Sequence, residues 1–229
     1  MQSKAVTQKK TKTSLTDKAY TELKKLILDN KITAGDQLLE AELAALLKMS
    51  RTPTREAMMR LDAEGLVEVR PRHGMKVKPV SIKDMKEIYM LLIGLESTAA
   101  WQAAQNEQSE KEIRTLGNCV TQMDEALEKE DLVAWAHADE AFHKQLVHMS
   151  GNERLIELVD RFFDQSHRVR MLTLKMRPLP VKSNADHREV LSAIVDGDAD
   201  KARRLHRIHR EKSGQMMIEL LENLGLTQL

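Results

Sequence analysis

The chain has 229 residues, of which 41% are hydrophobic, 31% charged and only 3% aromatic, which is typical of a globular protein rather than a fibrous or disordered one. No apolar run is long enough to cross a bilayer, and the first residues lack the apolar segment of a signal peptide. The single cysteine, Cys119, excludes an intrachain disulfide, so we expect a cytoplasmic protein without a membrane partner.

Positive charge is concentrated in the N-terminal third of the chain. Residues 1–78 contain 16 Lys and Arg against 10 Asp and Glu, whereas residues 79–229 contain 20 against 25. A basic domain before an acidic one suits a protein whose first domain binds a polyanion. We predict a flexible basic arm (1–14), an N-terminal domain (15–78), a linker (79–81) and an all-helical C-terminal domain (82–229).

The N-terminal domain begins with two predicted helices. The first is marked by apolar residues at helical spacing, namely Ala19, Leu23, Leu26 and Ile27. We expect this helix to end near Asn30. A turn at Gly35 then precedes a second amphipathic helix within AGDQLLEAELAALLKM.

A third predicted helix starts near Arg51 with an unusual concentration of arginine. Ser50 is a suitable N-cap, and Pro53 fits the first turn because its missing N–H has no intrahelical partner there. The inward face of the helix is formed by Ala57, Met58 and Leu61. Four residues remain at the N-terminal end, through which a recognition helix meets bases and phosphates. They are Arg51, Thr52, Thr54 and Arg55.

A predicted hairpin follows the third helix. Gly65 ends the helix, and LVEVR, PRHG and MKV indicate two short strands around a tight turn with Arg72 and His73 at its tip. The alternative is an ordinary surface helix whose arginines are merely solvated. The order of three helices and a hairpin favours a winged helix-turn-helix whose partner is double-stranded DNA.

The stretch LEAELAALLKMSRTPTREAMMRLDAEGLVEVRPRHG resembles the DNA-binding domain of the GntR superfamily of bacterial repressors, in its SR-x-P-x-R-E-A core, its GL turn and its G-x-x-V wing. Ala41 stands where fatty-acid-responsive members carry a further DNA-contacting arginine, so the resemblance does not extend to that subgroup's operator sequence. The resemblance implies operator contacts through Arg51, Thr52, Arg55, His73 and Gly74.

Beyond Pro79 the sequence predicts only helices. Apolar stripes and intervening Gly and Pro residues indicate six of them, at 85–103, 113–127, 132–149, 155–176, 181–195 and 199–224. Their short connections imply an antiparallel six-helix bundle, so the fold class is mainly α. With few aromatic residues, the interior depends on aliphatic side chains and 13 methionines, whose adaptable side chains suit a pocket that reshapes around a ligand.

Polar side chains interrupt the apolar stripes of this bundle at four positions. Asp139 and His143 are four residues apart on the third helix, and His187 and His209 lie on the inward faces of the fifth and sixth. Because unpaired buried charge is costly, the four need a common partner, and one divalent transition metal per chain (zinc, nickel, iron or manganese) would serve. The alternative is an Asp139–His143 pair with two unrelated core histidines.

The other histidines are less clearly placed. His206 shares part of the inward face of the sixth helix, three residues before His209. His137, His148 and His167 fall outside the stripes, and we predict that they lie at the surface.

The segments DEAFHKQLVHMSGN and DHREVLSAIVDGDADKARRLHRIH resemble the effector-binding FCD domain of the FadR-like branch of the same superfamily. The two resemblances together extend over residues 15–225. They imply a metal ion that either organises the pocket or helps to hold a small carboxylate effector. They also imply four metal ligands, Asp139, His143, His187 and His209.

One effector contact of that branch is missing. Leu92 stands where many relatives carry an arginine on the first helix of this domain. Arg170, with Ser166 and Thr173 on the inner side of the fourth helix, is the candidate replacement. The alternative is that the guanidinium of Arg170 is simply solvated.

These patterns favour a transcriptional regulator, most simply a repressor, in which a small organic acid or a similar oxygen-rich metabolite controls operator binding. A homodimer is expected because a two-fold dimer reads a pseudo-palindrome. One alternative is a metalloregulator that responds to the metal itself, and another is a metal-dependent hydrolase. The hydrolase would need a general base, for which Glu96 is the nearest candidate, although its position is structural in the resembled family. We expect no enzymatic activity.

Overall fold

The computed structural model describes residues 14–225, which form two compact units that divide between Lys78 and Pro79. The predicted basic arm lies outside the described residues except for Ser14. Ser14 belongs to the first unit, because its hydroxyl accepts a hydrogen bond from the Asp17 amide at 3.0 Å and caps the first helix. Within residues 14–225, none of the helices combines the length and hydropathy that a membrane span requires.

The first unit contains three helices and a small antiparallel sheet. The helices are α1 (Leu15–Leu28), α2 (Glu40–Leu47) and α3 (Arg51–Ala63). The strands are β1 (Gln37–Leu38), β2 (Val67–Arg70) and β3 (Gly74–Val77), in the order β1-β3-β2. This arrangement confirms the predicted winged helix-turn-helix. The sequence did not predict β1, because two residues are too few to show the alternation of a strand.

A single apolar core holds these elements together, with α3 packed on α1 and α2. Its fully buried members include Leu23, Ile27, Leu43, Met58, Leu61 and Val77. The sheet imposes one strict requirement, at Gly74, where φ is +74° and a Cβ atom would stand 2.0 Å from the carbonyl oxygen of Leu38. Glycine therefore allows β3 to pass closely beside the end of β1.

The second unit confirms the predicted bundle of six helices. They are α4 (Ile82–Gln105), α5 (Glu110–Glu128), α6 (Leu132–Met149), α7 (Glu153–Leu172), α8 (Val181–Val195) and α9 (Ala199–Asn223). Helix α7 ends before residue 176, where we had expected it to end, and a separate 3₁₀ turn covers Leu174–Met176. Arg177 is already extended, as is usual for the residue before a proline.

Helix α4 lies at the centre of this bundle and packs against α6, α7, α8 and α9. The core between these helices is aliphatic and aromatic, and its fully buried members include Met85, Leu92, Phe142, Phe163 and Val190. Because the inward faces of four helices converge on α4, polar residues on those faces are brought together.

Candidate metal centre and nucleic-acid interface

The structure brings the four predicted metal ligands into one buried cluster. Asp139 and His143 come from α6, His187 from α8 and His209 from α9. One ligand atom of each residue lies within 4.8 Å of the others. The Nε2 atoms of His187 and His143 are 3.4 Å apart, and the Oδ1 atom of Asp139 is 3.7 Å from each of them.

These separations approach those around a single metal ion. Metal–ligand bonds of about 2.0–2.1 Å at tetrahedral or octahedral angles place neighbouring ligand atoms about 3.0–3.4 Å apart. Two imidazole nitrogens also face each other, and at most one of them can donate a proton to the other. A cation between them would use both lone pairs. The donor set of three imidazoles and one carboxylate is suited to a divalent transition metal.

Electrostatics keeps most of the cluster in its metal-binding form. Burial alone would raise the pKa of Asp139, but His143 and Arg170 outweigh burial and hold that pKa well below its usual range. Burial lowers the pKa of His187 well below its usual value and also lowers that of His209. Neutral imidazole and ionised carboxylate are the forms that bind metals.

His143 differs because it lies between two carboxylates. Burial opposes its protonation, but Glu96 and Asp139 together raise its pKa. Its Nδ1 atom lies 2.7 Å from Oε2 of Glu96, so this N–H donates to the carboxylate and Nε2 points towards the cluster. A carboxylate behind a metal-binding histidine fixes the tautomer and the orientation of the ring.

Glu96 holds two further groups. Its Oε2 atom accepts a hydrogen bond from His206 Nε2 at 3.1 Å, and its Oε1 atom lies 3.0 Å from Nη2 of Arg210. The second contact is an ion pair whose angle does not meet that of a hydrogen bond. Burial would raise the pKa of Glu96, but Arg210 and His143 hold it well below its usual range.

This arrangement gives Glu96 a structural role. Glu96, His143 and His206 are also close enough to hold a cation, but both histidines already lie against Oε2 of the carboxylate, and Oε1 faces Arg210. Since both carboxylate oxygens are engaged and Glu96 faces Nδ1 rather than Nε2 of His143, it is not placed to act as a base towards a metal-bound water. The sequence carried a signal for this burial, because Glu96 lies in the stripe between Leu92 and Ala99.

The remaining histidines have diverse surroundings. His206 is fully buried, and burial lowers its pKa to about 4. His137 and His148 are exposed. The surface prediction was wrong for His167, which is partly buried and lies 2.9 Å from a carboxylate oxygen of Glu140.

The three predicted effector residues separate into two groups. Arg170 is buried, and its Nη2 atom donates to Oδ2 of Asp139 at 2.6 Å, so it is not simply solvated. Ser166 and Thr173 were wrongly assigned, because neither lines a pocket beside the cluster. Their hydroxyl groups donate to carbonyl oxygens of their own helix, at 3.0 and 2.7 Å, as buried hydroxyls in helices commonly do.

A pocket of about 240 Å³ opens beside Asp139, His143 and His209. Its volume is below the range of about 300–1,000 Å³ common for drug-sized ligands, so it suits a small metabolite. Met216 is the methionine in the wall, which is therefore less rich in methionine than we expected. The apolar wall is completed by Tyr89, Leu132, Trp135, Leu174, Leu179 and two prolines.

The first unit presents a second candidate site at α3 and the hairpin. Arg51, Thr52 and Arg55 are exposed at the start of α3, and Arg72 and His73 are exposed at the hairpin tip. In the part of the chain that the structure describes, none of these three arginines forms an ion pair. A cluster of unpaired cations on a helix start and a hairpin tip suits a phosphate backbone.

One predicted DNA contact, Thr54, needs correction. Thr54 is fully buried and donates a hydrogen bond to the carbonyl oxygen of Ser50 at 3.0 Å, so it cannot reach a ligand. Ser50 occupies the N-cap position, but its side chain makes no capping hydrogen bond. Gly74 is partly buried against β1 and has the steric role described above, and its contact with DNA stays a prediction.

Comparisons with known proteins agree with this division of the chain. Residues 15–77 match the family described as bacterial regulatory proteins, gntR family, and residues 87–212 match the FCD domain. An uncharacterized HTH-type transcriptional regulator of Agrobacterium vitis is 40% identical over 131 residues, which cover 56% of this chain and 77% of that protein. Another from Streptomyces ambofaciens is 33% identical over 193 residues, which cover 83% and 79%.

A solved structure shows the same fold. Escherichia coli McbR/YncC matches with a TM-score of 0.79 and 21% identity, over 90% of this chain and 98% of that one. At this level of identity the similarity concerns the fold alone.

Proposed function

This chain belongs to the GntR family of bacterial regulatory proteins and carries an FCD domain, and from that premise we propose that a metal ion and a small organic acid in the FCD domain control its binding to DNA. That it is a DNA-binding transcriptional regulator follows from the family. The observation that supports the further step is a buried cluster of metal-binding side chains that adjoins a pocket of about 240 Å³.

The proposed DNA-binding surface consists of the start of α3 and the hairpin tip. We propose that Arg51 and Arg55, which are exposed, read bases or phosphates in the major groove, and that the exposed Arg72 and His73 border the minor groove. One such surface reads only a few base pairs, so we propose a homodimer on a pseudo-palindromic operator, with repression as the simplest outcome.

The proposed metal is one divalent transition ion per chain, either zinc, nickel, iron or manganese. Asp139, His143, His187 and His209 would hold it, and a bound ion would supply an electrophilic centre for oxygen ligands. Because the pocket reaches three of these four side chains, an organic acid in the pocket would lie next to the ion. A ligand that prefers one conformation by about 1–3 kcal/mol changes operator affinity about five- to 150-fold.

The test uses a DNA duplex selected by the zinc-loaded protein from random sequences. Small organic acids are titrated against the preformed complex, and release is followed by fluorescence anisotropy. We expect an acid to release DNA from the wild type and from His137→Ala, whose side chain is exposed on the same helix, but not from His143→Ala. Undiminished release from His143→Ala would separate the effector from the metal and contradict the proposal.

The same assay identifies a metalloregulator. In that case the addition of zinc or its removal by a chelator changes DNA binding fully without any organic acid. That result would replace the proposed effector by the metal ion itself.

A further inference from the structure

The pocket beside the metal-binding cluster carries more positive charge than a single carboxylate needs. Five cationic side chains line it, Arg170, Arg177, Lys182, Arg210 and Lys212, together with only two carboxylates, Asp139 and Asp186. Two of the cations are already neutralised. Arg170 lies 2.6 Å from Asp139, and Arg210 lies 3.0 Å from Glu96.

Arg177 has no such partner. Its Nη2 atom donates to the carbonyl oxygen of Arg170, and its Nε atom is buried without a hydrogen bond. Among residues 14–225, no carboxylate forms an ion pair with it. Burial, and then the nearby charge of Arg170, lower its pKa to about 10, so it remains a cation at neutral pH. Partial burial of an unpaired guanidinium costs free energy unless an anion pairs with it.

Arg177 is also separate from the metal-binding cluster. It follows the 3₁₀ turn between α7 and α8, whereas the cluster belongs to α6, α8 and α9. Arg170 lies between them, since its side chain contacts Asp139 and its backbone carbonyl contacts Arg177. The pocket therefore presents two separate places that could attract an anion, the cluster once it holds a metal ion and the guanidinium of Arg177.

The wall around these centres suits a carbon skeleton. Leu132, Trp135, Leu174 and Leu179 line the same pocket and offer no charge. Lys182 and Lys212 line the pocket and are exposed, where they can attract an anionic ligand from solvent. A ligand with charge at both ends and an apolar middle matches this distribution.

We propose that the effector is a small diacid, with one carboxylate at the metal-binding cluster and the second on the guanidinium of Arg177. This inference rests on the proposed function, because it specifies the ligand of that same pocket. Arg177 acts as the residue that selects diacids over monoacids. Its planar guanidinium can bind a carboxylate through two hydrogen bonds.

Isothermal titration calorimetry of the zinc-loaded full chain tests this without DNA. The probes are succinate and glutarate, each compared with its monoamide, which has the same size and one charge less. We expect each diacid to bind at least about tenfold more tightly than its monoamide, as a lost charge-assisted hydrogen bond would produce. In Arg177→Gln this preference should fall to less than about threefold.

Arg161→Gln is the matched control, because Arg161 is exposed on α7 and does not line the pocket. It should keep the full preference, and Arg177→Lys should keep part of it. Zinc content and melting temperature are measured for each variant, so that a folding defect is recognised. Equal binding of diacid and monoamide, an unchanged preference in Arg177→Gln, or no binding of any probe would each overturn the inference.

The outcome is distinguishable from a failure of the proposed function. Diacid preference without DNA release would support the inference and contradict control of DNA binding by the acid. Release of DNA by diacid and monoamide at equal concentrations would support control of DNA binding by the acid and contradict the selection of diacids by Arg177.

Discussion

Removal of the Glu96 carboxylate should strongly destabilise the second unit. Glu96 is fully buried and Arg210 is 3% exposed, so Glu96→Ala leaves a buried guanidinium without its counter-ion. Breaking a buried ion pair from one side costs about 3–5 kcal/mol. For a unit of this size each kcal/mol lowers the melting temperature by about 2–4 °C, so we expect a decrease of about 6–20 °C.

The assay is thermal unfolding of the metal-free protein at neutral pH, followed by circular dichroism. The control is Glu125→Ala, which removes the carboxylate of an exposed ion pair with Lys129. Its effect should stay below about 1 kcal/mol. The double variant Glu96→Met/Arg210→Met should recover much of the loss, because apolar side chains of similar volume leave no orphaned charge.

This reasoning is refuted if Glu96→Ala melts within about 2 °C of the wild type, or if the double variant is less stable than both single variants. A measurement of zinc affinity separates the effect of Glu96 on protein stability from its effect on the orientation of His143. Glu96→Gln should weaken zinc binding about 10- to 100-fold, because it loosens the orientation of His143, whereas Glu140→Gln should not.

Three further predictions follow from the same contacts. His187→Ala should lose bound zinc and the thermal stabilisation that zinc confers, while His167→Ala should keep both; equal zinc content by mass spectrometry would contradict the assignment. Arg55→Ala should weaken operator binding by about 1–3 kcal/mol in a gel shift at fixed salt, and unchanged affinity would exclude α3 from the groove. Metal-free protein should lose at least about 1.5 kcal/mol of its free energy of unfolding between about pH 6.5 and pH 5 in urea titrations, which is the contribution of His206 alone. His143, whose pKa is raised, opposes this loss only weakly, because it takes up protons in both states as the pH falls. Burial lowers the pKa of His206 to about 4 and also lowers those of His187 and His209, so the unfolded chain takes up protons that the folded protein excludes. A free energy of unfolding that does not fall between these pH values would refute this prediction.

The elements that could be predicted from the sequence are those with long periodic patterns. Residues 132–149 and 181–195 were expected as helices, and these are the bounds of α6 and α8. The same periodicity placed Asp139, His143 and His187 on inward faces, because a face that is otherwise apolar must be buried. Their approach to one another then follows from bundle packing, which brings inward faces into a common core.

What the sequence did not reveal depends on contacts between distant residues. Arg177 lies in a segment without periodicity, and its position beside the pocket is set by the packing of α7 and the 3₁₀ turn. Thr54 was a different kind of error. Thr54 lies three residues before Ala57 and four before Met58, so the helical spacing already predicted that it shares their buried face. Its hydroxyl group nevertheless suggested a ligand contact.

The polar contacts of the second unit form a continuous network from α9 to α7. Arg210 contacts Glu96, which contacts His143. Asp139 then links His143 to Arg170. A metal ion at His143 and an acid beside Arg170 would therefore act on one network, and each should influence the binding of the other.

Under the proposed function, helix α4 would carry a change in this network towards the DNA-binding unit. It carries Glu96 at its middle and begins at Ile82, three residues after the division between the two units. Packed helices respond to a ligand by small shifts between discrete arrangements rather than by continuous bending. Because the buried charges on Glu96 and Arg210 cannot easily separate, a change at the cluster is more readily accommodated by movement of α4 as a whole than by loss of that ion pair. Disruption of the pair should therefore weaken the coupling between acid and DNA even where the acid still binds.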